Sequence, residues 1–154
     1  MGYTFVPLRL RDAVIAGGWR YPGEYAIYDF TRGELVATAL LQHLRLLPVV
    51  FFAALDERGE LVGIFTLTRI GETVEVGVGM RPDLTGKGLG LAFFEAGLAY
   101  ARERFHPRRF ALDVAAFNIR ARTIYERAGF REVRRFRRRT RAGPLEHIEM
   151  VREE

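Results

Sequence analysis

Between a strand-like run, Val74 to Met80, and an apolar helical pattern that begins at Leu89 lies the stretch Arg81-Pro82-Asp83-Leu84-Thr85-Gly86-Lys87-Gly88-Leu89-Gly90. Three glycines and one lysine therefore fill the joint between a strand and a helix. Glycine allows a tight backbone path with no Cβ in the way, and the first amides of a helix have no acceptor within it. Such a joint forms a cradle for an anion, and a phosphate group fits it.

The rest of the chain narrows the classes of function. At 154 residues with 49% apolar side chains, a single domain with a real core is expected over residues 1–154. Cysteine is absent, which removes disulfides, thiolate catalysis and cysteine-ligated zinc together and fits a reducing compartment. His43, His106 and His147 are far apart without ligand spacing, so no metal site is expected. The first residues show no basic segment followed by a long apolar one, and no run approaches a membrane span. A cytoplasmic protein with no membrane partner is the expectation. Net charge is +5, but 19 acidic residues are interspersed with the 24 basic ones, a balance that favours an anionic ligand only modestly. Lys87 is the sole lysine in a chain otherwise basic through arginine.

Tyr3 to Leu10 alternates as a first strand, with Phe5 and Leu8 or Leu10 as core positions. A short helical stretch opens at Arg11-Asp12, with Asp12 as cap or first-turn acid, and breaks at Gly17-Gly18. From Trp19 to Phe30 five aromatics are interrupted by Pro22-Gly23, the pattern of a loop with brief helical pieces. Leu35 to Leu46 reads as a helix limited by Pro48, with Leu35, Leu40, Leu41 and Leu44 facing the core. Val49–Leu55, Leu61–Arg69 and Thr73–Met80 are separated by short glycine-containing connectors and form an antiparallel meander. Leu91, Phe94, Leu98, Ala101 and Phe105 recur every three or four residues and define a helix from Leu89 to Phe105. Phe110–Ala115 reads as a buried, parallel-paired strand; Asn118 caps a further helix that stops at Gly129; Val133–Thr140 and Leu145–Val151 form a final hairpin. The fold class is α/β, a mixed sheet with helices on both faces.

The glycine loop alone does not name a ligand. In a dinucleotide fingerprint the third glycine would fall on Leu91 or Phe93, and Gly86-Lys87-Gly88 lacks the spacing of a nucleotide-triphosphate loop. A plain turn remains open at that point. Downstream, however, stand Asn118, Ala121, Tyr125, Gly129 and Phe130 in the order Asn-x-x-Ala-x-x-x-Tyr-x-x-x-Gly-Phe, ungapped. Together with Met80 to Gly90, which matches Val-x-Pro-x-x-Arg-Gly-x-Gly-x-Gly, this resembles the GCN5-related N-acetyltransferase (GNAT) superfamily. The element order agrees over essentially the whole chain.

The resemblance implies a central, mostly antiparallel sheet splayed in its middle, and acetyl transfer from acetyl-CoA to an amine by direct attack on the thioester. It places the pyrophosphate on Thr85, Gly86, Lys87, Gly88, Leu89 and Gly90, and pantetheine along the backbone of Val78, Gly79 and Met80, with Asn118 and Arg122 as further cofactor-side residues. Gly77 and Gly79 suggest a bulge or close backbone approach there. Tyr125 is implied as the acid that protonates the leaving thiolate, although its helical stripe equally suits a core residue. Glu75 is a base candidate acting directly or through water. Trp19, Tyr21, Tyr25 and Tyr28 fall in the region that shapes the acceptor side, or else pack as a satellite cluster. Thr85 departs from the family pattern, which usually has Arg or Gln there, so affinity rests more on backbone amides, Lys87 or Arg122. Family members are often dimers, which implies a possible homodimer.

Two other readings stay in view. One is a protein of the same fold that binds coenzyme A without turnover. The other is a nucleic-acid-binding module, because Arg131, Arg134, Arg135, Arg137, Arg138, Arg139 and Arg141 crowd the last hairpin. Strand alternation splits that cluster, and Glu132, Glu146, Glu149, Glu153 and Glu154 are placed to pair with it, which argues against nucleic acid.

Overall fold

A computed structural model describes residues 2–47 and 49–154. Pro48, expected to limit the second helix, lies outside them. The strands are β1 (Thr4–Pro7), β2 (Val49–Leu55), β3 (Leu61–Ile70), β4 (Thr73–Met80), β5 (Arg109–Ala115), β6 (Arg131–Thr140) and β7 (Gly143–Glu153). They form one seven-stranded sheet in the order β1-β2-β3-β4-β5-β7-β6. Every pairing is antiparallel except β4 with β5.

Sequence explains most of this order. The turn between β2 and β3 is held by Asp56, whose Oδ1 accepts from the amides of Arg58 at 2.9 Å and Glu60 at 3.0 Å, so an antiparallel neighbour is the cheapest continuation. A parallel neighbour requires a crossover, which α3 (Gly90–Phe105) supplies between β4 and β5. That single parallel joint governs the site. β4 and β5 are paired only over Thr73–Glu75 against Arg109–Ala111; beyond Glu75 the two strands separate. The β3–β4 ladder meanwhile runs unbroken from Ile70 opposite Thr73 to Gly63 opposite Met80. No bulge forms at Gly77 or Gly79. Opening occurs by loss of the β5 partner, and the missing Cβ of Gly77 instead makes room for Thr66 Oγ1, 2.3 Å from where that carbon would sit.

Helices cover both faces. α3 and α4 (Ile119–Arg127) close one core, with Phe93, Phe94, Leu98 and Tyr125 packed on Phe65, Leu67, Val76 and Phe110. α1 (Leu10–Ala16) and α2 (Arg32–His43) close the other, where Ala13, Ala16, Leu35 and Ala39 meet Ala53, Leu61 and Ile64. Asp12 is buried in the first turn of α1 and accepts from the Arg9 amide at 3.1 Å and from Arg9 Nε at 2.7 Å. α2 begins earlier than expected because Thr31 caps it, its side chain accepting from the Glu34 amide at 3.1 Å. This phase buries Leu35 and Ala39 and leaves Leu40, Leu41 and Leu44 exposed, reversing their expected role. Leu10 is likewise exposed, while Leu8 is buried.

The hairpin β6–β7 lies at the sheet edge. Arg134 pairs with Glu149 at 2.7 Å, Arg135 with Glu146 at 3.0 Å and with Glu132, and Arg131 with Glu153 at 3.7 Å. Glu154 turns instead to Arg102 and Arg152. A charged edge strand of this kind resists further strand pairing. Among the described residues no helix is long and apolar enough to cross a membrane, and no group of His, Cys, Asp or Glu is arranged to hold a metal ion.

Candidate active site

Where β4 and β5 part, a cavity of about 850 Å³ opens. Its walls are the free edge of β4, the glycine loop, the start of α3, one side of α4 and the aromatic segment that includes the 3₁₀ turn Gly23–Tyr28.

The orientation of the β4 edge follows from its register. The Arg81 amide donates to Val62 at 2.8 Å, so odd-numbered residues of β4 turn their backbone groups toward β3. Even-numbered residues face the other way, as the Glu72 carbonyl confirms by accepting from the Arg108 amide at 2.8 Å. Past the last β5 pair, the backbone of Val78 and Met80 therefore points into the opening, whereas that of Gly79 is committed to β3. The Met80 carbonyl is already occupied by the Tyr21 hydroxyl at 2.6 Å. Val78 N–H and C=O and Met80 N–H remain.

At one end of this edge lies the loop. Gly86 and Gly88 have φ of +74° and +77°, which side-chain-bearing residues adopt only under strain. Gly90 lies where a Cβ would come 2.5 Å from Ile124 Cδ1, so its absence lets α3 approach α4. Among the described residues, no amide from Gly86 to Ala92 donates to a protein acceptor. These donors converge at the positive end of a 16-residue helix. Thr85 adds nothing from its side chain, because its Oγ1 donates to the Pro82 carbonyl at 2.7 Å.

α4 contributes two polar side chains of different standing. Asn118 is buried and fully engaged: Oδ1 accepts from the Ala121 amide at 3.2 Å, and Nδ2 donates to Tyr28 Oη at 3.3 Å. Tyr28 Oη also accepts from the Ala115 amide at 3.3 Å, tying the aromatic segment to the separated end of β5. Tyr125 packs its ring on Phe94 at 4.8 Å and is 9% exposed. Its hydroxyl makes no hydrogen bond to the protein, yet among the described residues no buried side-chain polar atom lacks a partner, so the hydroxyl opens into the cavity. Burial pushes its pKa above the ordinary phenol value, and Tyr28 adds to that shift.

On the acceptor side Tyr21, Tyr25 and Tyr28 line the wall. Burial first, and Asp29 second, push the Tyr21 phenol up to about 12. Asp29 and Glu34 line the same region; Asp29 accepts from the Tyr21 amide at 2.9 Å, and Glu34 lies 3.8 Å from Arg141.

The structure does not bring every expected residue to the wall. Trp19 is buried in the core beneath α1 and α2 because its ring completes that apolar cluster. Glu75 is the last β4 residue still paired with β5, lies opposite Thr68 on the outer surface, and is absent from the lining. Lys87 is exposed and outside the lining; Leu89 instead lines a smaller cavity beside Tyr3 and Val62. Arg122 spends its guanidinium on the Ala116 carbonyl at 2.9 Å. In its stead Arg120 reaches the lining, together with Thr66, Asp113 and Ile124, none of which sequence reasoning singled out. For Arg120 a signal was legible: it sits in the first turn of α4, where the helix dipole disfavours a cation, and no acidic residue accompanies it.

A mixed sheet parted between two strands, with a loop of unpaired amides at the start of a helix, forms a cleft whose one end suits an anionic group. The chain belongs to the acetyltransferase (GNAT) family, whose model matches residues 20–130. Curated relatives include mycothiol acetyltransferases from Clavibacter sepedonicus, 39% identical over 106 residues, and from Salinispora tropica, 39% identical over 88 residues. These matches cover 66% and 52% of this chain but 33% and 28% of those proteins, so the chain spans about a third or less of their length. Among solved structures, a spermidine N-acetyltransferase SpeG chimera from Vibrio cholerae and hSSAT superposes with a TM-score of 0.79 at 20% identity, covering 98% of this chain and 95% of that one. A structure described as dodecameric spermidine N-acetyltransferase from Vibrio cholerae superposes at 0.76 with 19% identity, covering 98% and 93%. At such identities the likeness establishes the fold.

Proposed function

We propose that residues 1–154 act as one N-acetyltransferase domain that moves an acetyl group from acetyl-CoA to a primary amine by direct attack. The observation that carries this reading is the parting of β4 and β5 beside a loop whose amides are unpaired from Gly86 to Ala92. Donors of that kind fit a pyrophosphate, and the free Val78 and Met80 backbone groups fit the amides of a pantetheine chain lying as an added strand. Gly86, Gly88 and Gly90 shape the cradle, with Leu89 packed behind it; Asn118 serves by holding Tyr28 and the start of α4.

The amine nitrogen attacks the thioester carbonyl carbon; a C–N bond forms, the C–S bond breaks, and its electron pair stays on sulfur. Tyr125 gives its proton to that sulfur and is reprotonated from solvent. A phenol is already protonated at neutral pH, the state an acid requires, and burial shifts Tyr125 further in that direction. The Met80 or Val78 amide polarises the carbonyl. The amine proton leaves to water, which Glu75 can receive only across solvent, since its carboxylate is outside the lining. Alignment of the two reactants supplies much of the acceleration without a dedicated base.

Tyr21, Tyr25 and Tyr28 shape the acceptor pocket, and Asp29 and Glu34 favour a cationic amine there. The paired arginines of β6 support an enzyme over a nucleic-acid-binding module. The absence of cysteine supports a cytoplasmic site of action. A homodimer is also proposed, supported by exposed Val14 and Ile15 on α1, Leu40 on α2 and Leu44 just past its end, which a second copy would cover; light scattering that returns one mass equal to the monomer at every concentration refutes it.

The decisive assay is release of free thiol from acetyl-CoA across a panel of primary amines. Amine-dependent release supports the reading. Saturable coenzyme A binding with no release from any amine would leave a binding protein of the same fold.

A further inference from the structure

Arg120, in the first turn of α4, is an exposed side chain that lines the cavity between the glycine loop and the aromatic segment. Its Nη1 is 3.4 Å from the position a Cβ would take on Gly86, and its guanidinium carbon is 5.0 Å from the centre of the Tyr25 ring. Among the described residues it makes no ion pair and no hydrogen bond, although most arginines on β6 are paired. A cation at this position also opposes the dipole of its own helix, and no first-turn acid compensates it. A side chain that is locally unfavourable, unpaired and directed at a loop of free amides is explained by an anion that completes the site. The side chains otherwise placed to serve are engaged or outside the lining: Thr85 bonds Pro82, Arg122 bonds Ala116, and exposed Lys87 is not part of the cavity wall.

We propose that Arg120 is a pyrophosphate ligand of the Gly86–Gly90 cradle, with the Tyr25 ring as the platform that holds its guanidinium in place. A planar guanidinium offers two parallel donors to phosphate and stacks on a phenol ring, a combination lysine does not reproduce. The same contact links the two sides of the site. Phosphate that fixes Arg120 also fixes Tyr25 and, through its edge-on packing at 5.5 Å, Phe117, so donor binding pre-forms part of the acceptor wall.

This assignment rests on the reading of the cleft as a coenzyme A site, and calorimetry separates the two. Coenzyme A and 3′-dephospho-coenzyme A are titrated into the wild-type protein, Arg120→Ala, Arg120→Lys and Tyr25→Ala, and each unliganded protein is melted. Expected is a loss of about ten-fold or more in affinity for Arg120→Ala, equivalent to about 1.4 kcal/mol, equal for both ligands. Arg120→Lys recovers part of it, Tyr25→Ala shows a smaller loss, and unliganded Arg120→Ala melts no lower than wild type because a cation has left a helix N-terminus. Affinity within two-fold of wild type in Arg120→Ala overturns the assignment while leaving the coenzyme A reading intact. A loss seen only with the 3′-phosphate present moves Arg120 to that phosphate and overturns the pyrophosphate contact. No saturable binding by the wild-type protein removes the reading and the proposal together.

Discussion

The Tyr21 hydroxyl donates to the Met80 carbonyl at 2.6 Å, across 59 residues of sequence. This bond closes one of the few main-chain acceptors on the free edge of β4, and it draws the aromatic segment against the strand that carries the site. Tyr21 thus acts on the opening by narrowing it, in addition to forming its wall. Replacing it by phenylalanine leaves a half-buried carbonyl to find another partner. Tyr21→Phe is expected to cost about 1 kcal/mol in urea unfolding and to change the affinity for coenzyme A, since a second acceptor becomes available along β4. Unchanged values for both would remove this role.

Tyr125 presents the opposite case, a buried ring whose hydroxyl has no protein partner. Tyr125→Phe keeps the packing against Phe94 and Phe130 and is expected to change stability by less than about 0.5 kcal/mol. Its kcat for thiol release is expected to fall by about 100-fold or more, the range of a lost general acid. A variant with wild-type kcat would reduce Tyr125 to a core residue.

Tyr21 and Tyr125 also predict the alkaline behaviour of the protein. Both phenols are raised in the folded state, Tyr21 to about 12, whereas in the unfolded chain they titrate near about 10. Above that value the unfolded state binds fewer protons than the folded one, so stability falls with rising pH; below it their contribution is fully present. Denaturant midpoints should decline above pH about 10, less steeply in Tyr21→Phe and Tyr125→Phe. In an absorbance titration of the native protein, two of its six tyrosines should ionise later than a free phenol.

Gly88 tests the cradle without confounding contacts. Nothing lies within 4 Å of a Cβ added there, yet its φ is +77°. Gly88→Ala is therefore expected to destabilise by about 1 kcal/mol from backbone strain alone and to weaken coenzyme A binding several-fold as the amides reorient. Binding that persists unchanged in a folded variant would detach the loop from the phosphate.

Glu75 offers a negative control with content. Because its carboxylate lies outside the cavity lining, Glu75→Gln is expected to keep thiol release within about three-fold of wild type. A fall of 100-fold would restore it as a direct base and require β4 to rearrange when substrate binds.

Local chemistry explains which parts of this molecule were legible from residues alone. Glycines at positive φ, a capping asparagine that accepts from the Ala121 amide and hairpin connectors are decided within a few residues. The strands β2 to β7, the helices α3 and α4, the glycine loop and the stretch Asn118–Phe130 were therefore readable as sequence, while the first strand, expected over Tyr3–Leu10, ends at Pro7 because α1 begins at Leu10. Facing and partnership were not, because they depend on groups distant along the chain. Thr31 set the phase of α2 and turned Leu40, Leu41 and Leu44 to solvent. The core under α1 claimed Trp19; Ala116 claimed Arg122; Met80 claimed Tyr21. Arg120 came to the cavity only when Gly86 and Tyr25 were folded to either side of it. Sequence by itself determined that this chain would build a mixed sheet with a glycine loop between β4 and α3. Tertiary structure decided which side chains reach that loop, since competition for each donor and acceptor is settled by neighbours that only the fold brings together.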